Sequence, residues 1–231
     1  MSASIDFRSR SSRIRFGSFA RVFKQTPSSA FERKIARLSV LYEDLRIELM
    51  GAALDEGAVS VLEPFGPHYR QYYFMRRAIG TLVEFQQTIE HIASLKEFRE
   101  IEARAKKTSD VYYLEDWVPA LKFFRKKRNL LKSIRNHVGG HFGDEATNNA
   151  FKAIGEDFTV RVEIQFDIGN RVRLLLPFAT ELSSAALLNH FPGSAVDERA
   201  NALLNLLLEA VDHTVGIVHF LVADFLWDRL G

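Results

Sequence analysis

Apolar residues recur along much of the chain at alternating steps of three and four, the spacing of one face of an α-helix. Ser29 followed three residues later by Glu32 is a capping box and marks the start of the first helix. Asp44 and Glu48 lie off the apolar stripe of this helix, so we expect them on its solvated face. That stripe is Phe31, Ile35, Leu38, Tyr42, Leu45, Leu49 and Ala52. The pattern predicts helical segments over residues 28–54, 68–95, 96–107, 111–138, 179–190 and 196–229.

Between residues 158 and 177 the period changes to two, which is typical of strands. Apolar residues alternate with polar ones on both sides of the turn residues Asp167 to Asn170, and this arrangement predicts a β-hairpin. The alternating apolar residues are Val160, Val162, Ile164, Phe166, Val172, Leu174 and Leu176. The expected fold is therefore mainly α: an antiparallel helical bundle with one inserted β-hairpin, at about residues 158–177, and a long C-terminal helix.

The composition suits one large domain, because 47% of the 231 residues are hydrophobic and 26% are charged. We expect a single helical domain over 28–231, with a bundle core (28–142), the hairpin (158–177) and C-terminal helices (179–230). Residues 1–27 are predicted to be a flexible basic arm, since residues 1–24 hold six basic residues, six serines and only one acidic residue.

The most apolar stretch, 202–226, is interrupted by charged and polar residues that would be costly in lipid. We interpret it as a buried helix of a cytoplasmic protein that does not contact a membrane. The chain has no cysteine, which excludes disulfides and thiolate chemistry and fits a reducing compartment.

Common cofactor and metal motifs are missing from the sequence. It has no Gly-rich phosphate loop, no dinucleotide-binding turn, no nucleophile elbow and no Glu-x-x-His pair. His137 and His141 have the spacing of two metal ligands on a helix, but Gly139 and Gly140 between them disfavour a regular helix. We therefore expect neither a metal nor a cofactor.

The segment RNLLKSIRNHVGGHFG, residues 128–143, is the least generic part of the sequence. A helix over 120–138 collects basic residues on one flank: Arg125, Arg128, Lys132 and Arg135. One interpretation is purely structural. Arg135 would stabilise the helix C-terminus, a glycine would cap it, and His141 would pack into the bundle.

The other interpretation is catalytic. Arg135 is followed directly by Asn136 and, after five intervening residues, by His141 and the aromatic Phe142. This resembles the signature of the HEPN superfamily, small helical bundles in which an Arg is followed after four to six residues by a His. The resemblance covers this motif and the helix before it. The two glycines inside the gap depart from the family pattern.

The resemblance implies a metal-independent endoribonuclease whose catalytic residues are Arg135, Asn136 and His141, completed when a homodimer brings two motifs together. Imidazole transfers protons near neutral pH, and a guanidinium matches phosphate oxygens. His137 is a candidate for a second histidine within one chain. The residues expected to contact RNA are Arg125, Arg128, Lys132 and His137.

The sequence thus predicts a HEPN-like RNA-cleaving or RNA-binding module of a defence or toxin kind. The alternative is a catalytically inert helical protein that acts through self-association or protein–protein interaction. Its contact surfaces would be the hairpin edge and the C-terminal helix.

Overall fold

The computed structural model describes Phe23 and residues 29–53, 67–139, 144–154, 163–166, 172–175, 177–223, 225, 226 and 229. This part of the chain is mainly helical, as predicted. Its α-helices are α1 (Ala30–Ala53), α2 (Pro67–Ser94), α3 (Lys96–Thr108), α4 (Val118–Ile134), α5 (Asp144–Ile154), α6 (Pro177–Leu188) and α7 (Val196–Ile217). The predicted N-terminal arm lies outside the described residues except for Phe23, whose ring centroid is 5.8 Å from that of Phe225.

The N-terminal cap predicted at Ser29 is present, and Asp110 provides a second cap. The backbone N–H of Glu32 donates to the Ser29 hydroxyl at 3.0 Å, which starts α1. The backbone N–H of Tyr113 donates to the Asp110 carboxylate at 3.0 Å and starts the helix that leads into α4. Just before it, Ser109 closes α3 in the left-handed conformation, with φ of 51°.

Among the described residues, three π-helical segments extend these helices: Tyr113–Trp117 before α4, Arg135–Gly139 after α4, and Val218–Ala223 after α7. Pro119, near the start of α4, gives a reason for the first. In an α-helix its ring would clash with the carbonyl of Glu115, four residues earlier, and the wider π turn relieves that contact. The regular part of α4 consequently begins at Val118.

Contacts between side chains link the long helices. α1 and α2 meet at Arg37 and Glu84, whose ion pair is 3.0 Å long. The Phe85 and Phe124 rings join α2 to α4 at 5.9 Å, and the Phe123 and His213 rings join α4 to α7 at 4.6 Å. α2 and α4 each bury one apolar face, and Phe74 and Leu130 are half-buried at the edges of these faces.

The buried face of α1 differs from the prediction. Tyr42 and Leu49 are half-buried, and Leu41 and Glu48 are buried in their place. α2 lies on that side of α1, because Arg77 of α2 approaches the Glu48 carboxylate to 3.6 Å. The expectation that Glu48 is solvated was therefore wrong, and burial raises the pKa of its carboxyl.

Two short strands, β1 (Glu163–Phe166) and β2 (Val172–Leu175), pair antiparallel, with Glu163 opposite Leu175 and Phe166 opposite Val172. Most of the remaining residues of the range 158–177, including the connection between the strands, lie outside the described residues. The inserted hairpin as a unit stays a prediction. Pro177, expected at its end, is the first residue of α6, where proline is well tolerated.

The stretch Val196–Val222 is long and apolar enough to cross a membrane by length and composition, with 44% of its most apolar window buried in the fold. The core helix of a soluble protein passes the same test.

Candidate functional site

The first part of the Arg–His motif lies in the π-helical segment that continues α4. Arg135 and His137 are half-buried, and Asn136 between them is exposed. His141 lies outside the described residues. The placement of Arg135 relative to His141, on which the proposed catalytic spacing depends, therefore stays a prediction.

The basic residues predicted to contact RNA form an exposed strip along α4, defined here as Arg125, Arg128 and Lys132. Arg128 makes only a loose ion pair with Glu90 of α2, at 3.8 Å, and such exposed pairs contribute little to stability. Asn136 follows Lys132 by one helical turn, so it continues this basic strip. Successive helical residues point about 100° apart, so His137 faces a different side of the helix from Arg135.

His137 faces His190, a residue near the end of α6 that the sequence did not single out. The two imidazole rings are stacked, with centroids 5.4 Å apart and planes inclined by 25°. They border a cleft of about 370 Å³, the His137–His190 cleft, between the π-helical end of α4, helix α5 and the end of α6. Its lining residues are His137, Val138, Ala146, Asn149, Ala186, Asn189 and His190.

Hydrogen bonds through Asn189 fix the wall that carries His190. The Asn189 amide donates to the backbone carbonyl of Asn149 at 3.0 Å, and its oxygen accepts a hydrogen bond from the Arg199 guanidinium at 3.1 Å. Arg199 also donates from Nε to the carbonyl of Gly193 at 2.8 Å. Helices α5, α6 and α7 are thus tied together beside His190.

The turn after His190 is fixed by a carboxylate. Glu198, in the first turn of α7, accepts hydrogen bonds from the backbone N–H groups of Ser194 and Ala195, at 2.8 and 3.2 Å. These backbone N–H groups lower the pKa of the Glu198 carboxyl. Gly193 has φ of +141°, a conformation that side chains rarely adopt, and a Cβ there would lie 2.9 Å from the Glu198 Cβ.

The lining of the His137–His190 cleft suits an oxyanion. None of the described residues that line it carries a carboxylate, while two imidazoles and two amides offer N–H donors. Alanines at 146 and 186 leave room between the walls. Imidazole can also exchange a proton near neutral pH. In the part of the chain that the structure describes, no group of three or more His, Asp or Glu residues could hold a metal ion.

A second cleft with two histidines lies at the other end of α4 and has a volume of about 400 Å³. We call it the acidic cleft, because it is lined by Glu115, Asp116, Glu209, Asp212, His213, Val215, Gly216 and His219. Both histidine rings rest on aromatic neighbours: His213 on Phe123 at 4.6 Å and His219 on Tyr112 at 4.5 Å.

Sequence reasoning missed Asn149, Asn189 and His190. No local pattern marks them, because they join His137 only when α5 and α6 fold back against the end of α4. No protein-family model, curated protein or solved structure matches the chain. The interpretation of the site therefore depends on its own residues.

Proposed function

We propose that this chain is a HEPN-like helical protein that cleaves RNA without a metal ion, as a cytoplasmic homodimer of a defence or toxin kind. The observation that carries the proposal is the position of Arg135, Asn136 and His137. They lie at the end of the long basic helix α4, beside a cleft that holds a second histidine. RNA binding without cleavage is the weaker form of the same proposal.

The finer fold belongs to this proposal: an antiparallel bundle with one inserted hairpin and a long C-terminal helix. Contacts along α1 and α2 support opposite chain directions, because Arg37 meets Glu84 while Glu48, later in α1, meets Arg77, earlier in α2. Contacts of α4 and α7, together with the π-helical segments that adjoin them, have the same trend. Phe123 of α4 meets His213 of α7, whereas Trp117, just before α4, meets Phe220, just after α7. The paired strands β1 and β2 support the hairpin.

The proposed reaction is attack of the ribose 2′-oxygen on the adjacent phosphorus. The new O–P bond forms as the bond from phosphorus to the 5′-oxygen breaks, leaving a 2′,3′-cyclic phosphate and a 5′-hydroxyl. Arg135 would stabilise the charge that gathers on the phosphate. His141 would transfer a proton, and Asn136 would hold His141 or a phosphate oxygen. The basic strip would guide the RNA backbone toward this end of α4.

A direct test is RNA cleavage in EDTA by the wild type, by Arg135→Ala and by His141→Ala. We expect each substitution to reduce the rate about 100-fold or more, because each removes a charge-stabilising or proton-transfer group. Arg46→Ala is a matched control, since this exposed arginine on α1 bonds to Glu43 and not to any residue of the motif. Equal rates in all four proteins, or no cleavage by the wild type, would contradict the proposal.

The alternative function is self-association by a catalytically inert protein. One observation favours it: α7 exposes a row of apolar side chains, with Leu204, Leu208 and Val215 at 41%, 59% and 45% exposure. A second exposed row precedes and begins α4, at Val111, Leu114 and Val118. A wild-type protein that is dimeric by light scattering but fails to cleave or bind RNA would support this alternative.

A further inference from the structure

We infer that the His137–His190 cleft is a binding site for a phosphate ester and that His190 supplies the second imidazole of the reaction within the same chain. This inference rests on the proposed function and deepens it. It assigns proton transfer to a residue outside the Arg–His motif. The second copy of a homodimer would then not be needed to supply a second imidazole.

The geometry provides the first argument. The two rings face each other with centroids 5.4 Å apart, and both are half-buried at the border of one cleft. A phosphate seated at this border would contact both rings and the amides of Asn149 and Asn189. A cleft of about 370 Å³ has room for a nucleotide phosphate together with part of its sugar.

The charges provide the second argument. Two cationic imidazoles at this separation would repel each other, and an anion bound at the edges of both rings offsets that repulsion. Among the described lining residues there is no carboxylate that would compete with the anion. The guanidinium of Arg199 lies behind the Asn189 amide, to which it donates at 3.1 Å, and adds positive charge on that side. The Glu198 carboxylate is engaged by the backbone N–H groups of Ser194 and Ala195.

With His190 as the second imidazole, the proton transfers balance within one chain. One imidazole removes the proton from the 2′-hydroxyl as the new O–P bond forms. The other, protonated, donates its proton to the 5′-oxygen as that P–O bond breaks. One ring gains a proton and the other loses one, so the reaction consumes no net proton. Exchange with solvent then returns each ring to its starting protonation state. No oxidant, metal or further reactant is consumed.

Binding can be tested on the wild-type full chain, independently of cleavage. Imidazole ring resonances are followed by NMR during titration with inorganic phosphate and, separately, with uridine 3′-monophosphate. We expect the rings of His137 and His190 to shift, with His213 and His219 of the acidic cleft as internal controls that do not. If the first two rings stay unmoved, or all four shift alike, the cleft is not the phosphate site.

Cleavage is tested with His190→Gln, which retains a side-chain N–H donor but cannot transfer a proton near neutral pH. We expect a rate reduced about 100-fold or more, while His91→Gln, at an exposed histidine of α2, cleaves like the wild type. Thermal melting confirms that both variants fold. If His190→Gln does not fold, the titration of the wild type decides whether the cleft binds phosphate.

The outcomes separate this inference from the proposed function. Wild-type rates in His190→Gln, together with loss of cleavage in Arg135→Ala, would overturn the role of His190 and leave the ribonuclease proposal standing. Phosphate-dependent shifts of His137 and His190 without any RNA cleavage would overturn the ribonuclease proposal and retain the cleft as an oxyanion site. Neither shifts nor cleavage would overturn both.

Discussion

Two clefts of similar volume, each bordered by two histidines, lie at opposite ends of α4. Seventeen residues of helix place them roughly 25 Å apart. The His137–His190 cleft is lined by amides and alanines, whereas the acidic cleft is lined by Glu115, Asp116, Glu209 and Asp212. Each cleft adjoins a π-helical segment, before α4 in one case and after it in the other.

The difference shows that a pair of histidines does not define a function by itself. The carboxylates around His213 and His219 repel phosphate. The described residues that line the His137–His190 cleft carry no carboxylate, so an oxyanion can approach. The chemistry proposed for RNA therefore belongs to one end of α4 and not to the other.

The largest effect should come from Gly216→Ala, where α7 approaches the first π-helical segment. A Cβ at Gly216 would lie 2.9 Å from the Cβ of Asp116, which has little freedom to move away. We expect a loss of about 1–3 kcal/mol in the free energy of unfolding, measured with urea.

Gly80→Ala is the matched control, because a Cβ at this position in α2 would meet nothing within 4 Å. It should stabilise the protein by about 0.5–1 kcal/mol, since alanine has the higher helix propensity. Similar changes in both variants would mean that the approach of α7 to Asp116 is not close.

An intermediate effect, on nucleotide affinity, is expected when a carboxylate is introduced into the His137–His190 cleft. Asn149→Asp changes one amide to a carboxylate of the same shape. Repulsion across a few ångströms of partly solvated cleft should weaken binding of uridine 3′-monophosphate about tenfold. Asp212→Asn in the acidic cleft is the reciprocal control and should leave this affinity unchanged. Unchanged affinity in Asn149→Asp, measured by calorimetry, would place the nucleotide elsewhere.

The smallest effect is on the pH dependence of stability. It compares Glu48, whose pKa is set mainly by burial, with a carboxyl whose pKa is set by its neighbours. Burial raises the pKa of Glu48 above its ordinary value of 4.5, with smaller opposing contributions from Thr81 and Arg77. The folded protein therefore binds this proton more tightly than the unfolded chain. The stabilisation is complete below pH 4.5 and is lost as the pH rises through the raised pKa.

Glu48→Gln should remove this pH dependence at a cost of less than about 1 kcal/mol from the lost contact with Arg77. Glu102 gives the opposite sign, because the Tyr113 hydroxyl, at 2.7 Å, and Lys106 lower its pKa. Its stabilisation is present above pH 4.5 and is lost as the pH falls through the lowered pKa. Urea unfolding of Glu48→Gln and Glu102→Gln between pH 3 and 8 checks both signs, and parallel pH profiles would contradict them.

The helices were predictable because their periodicity and caps are local. Ser29 and Asp110 act within three residues of their own positions, and the stripe of α2 needs only spacing. The buried side of α1 was less predictable, because the position of α2 decides whether Tyr42 or Leu41 is covered. Glu48 was misplaced for the same reason: a charged residue is buried when a neighbouring helix covers it.

Half of the candidate site could be found from the sequence and half could not. Arg135 and His137 belong to one short motif, so a local pattern was enough to select them. His190 lies 53 residues after His137 and joins it only through the packing of α5, α6 and α7. Its partner Asn189 is bonded to Arg199, which belongs to a different helix. Contacts between segments so distant in the sequence produce no periodic pattern of residues from which they could be predicted.

The number of residues in each π-helical segment determines how the side chains of α4 are oriented toward the two clefts. A π turn pairs residues five apart, so it holds one residue more than an α turn. Deleting a single residue from Tyr113–Trp117 or Arg135–Gly139 would restore α-helical pairing and rotate one flank of α4 by about 100° relative to the other. Every side chain that lines the clefts could be retained and the helix kept intact. Yet His137 would no longer face His190 after the second deletion, and Tyr112 would no longer face His219 after the first. Point substitutions in these two segments should therefore be better tolerated than insertions or deletions of one residue.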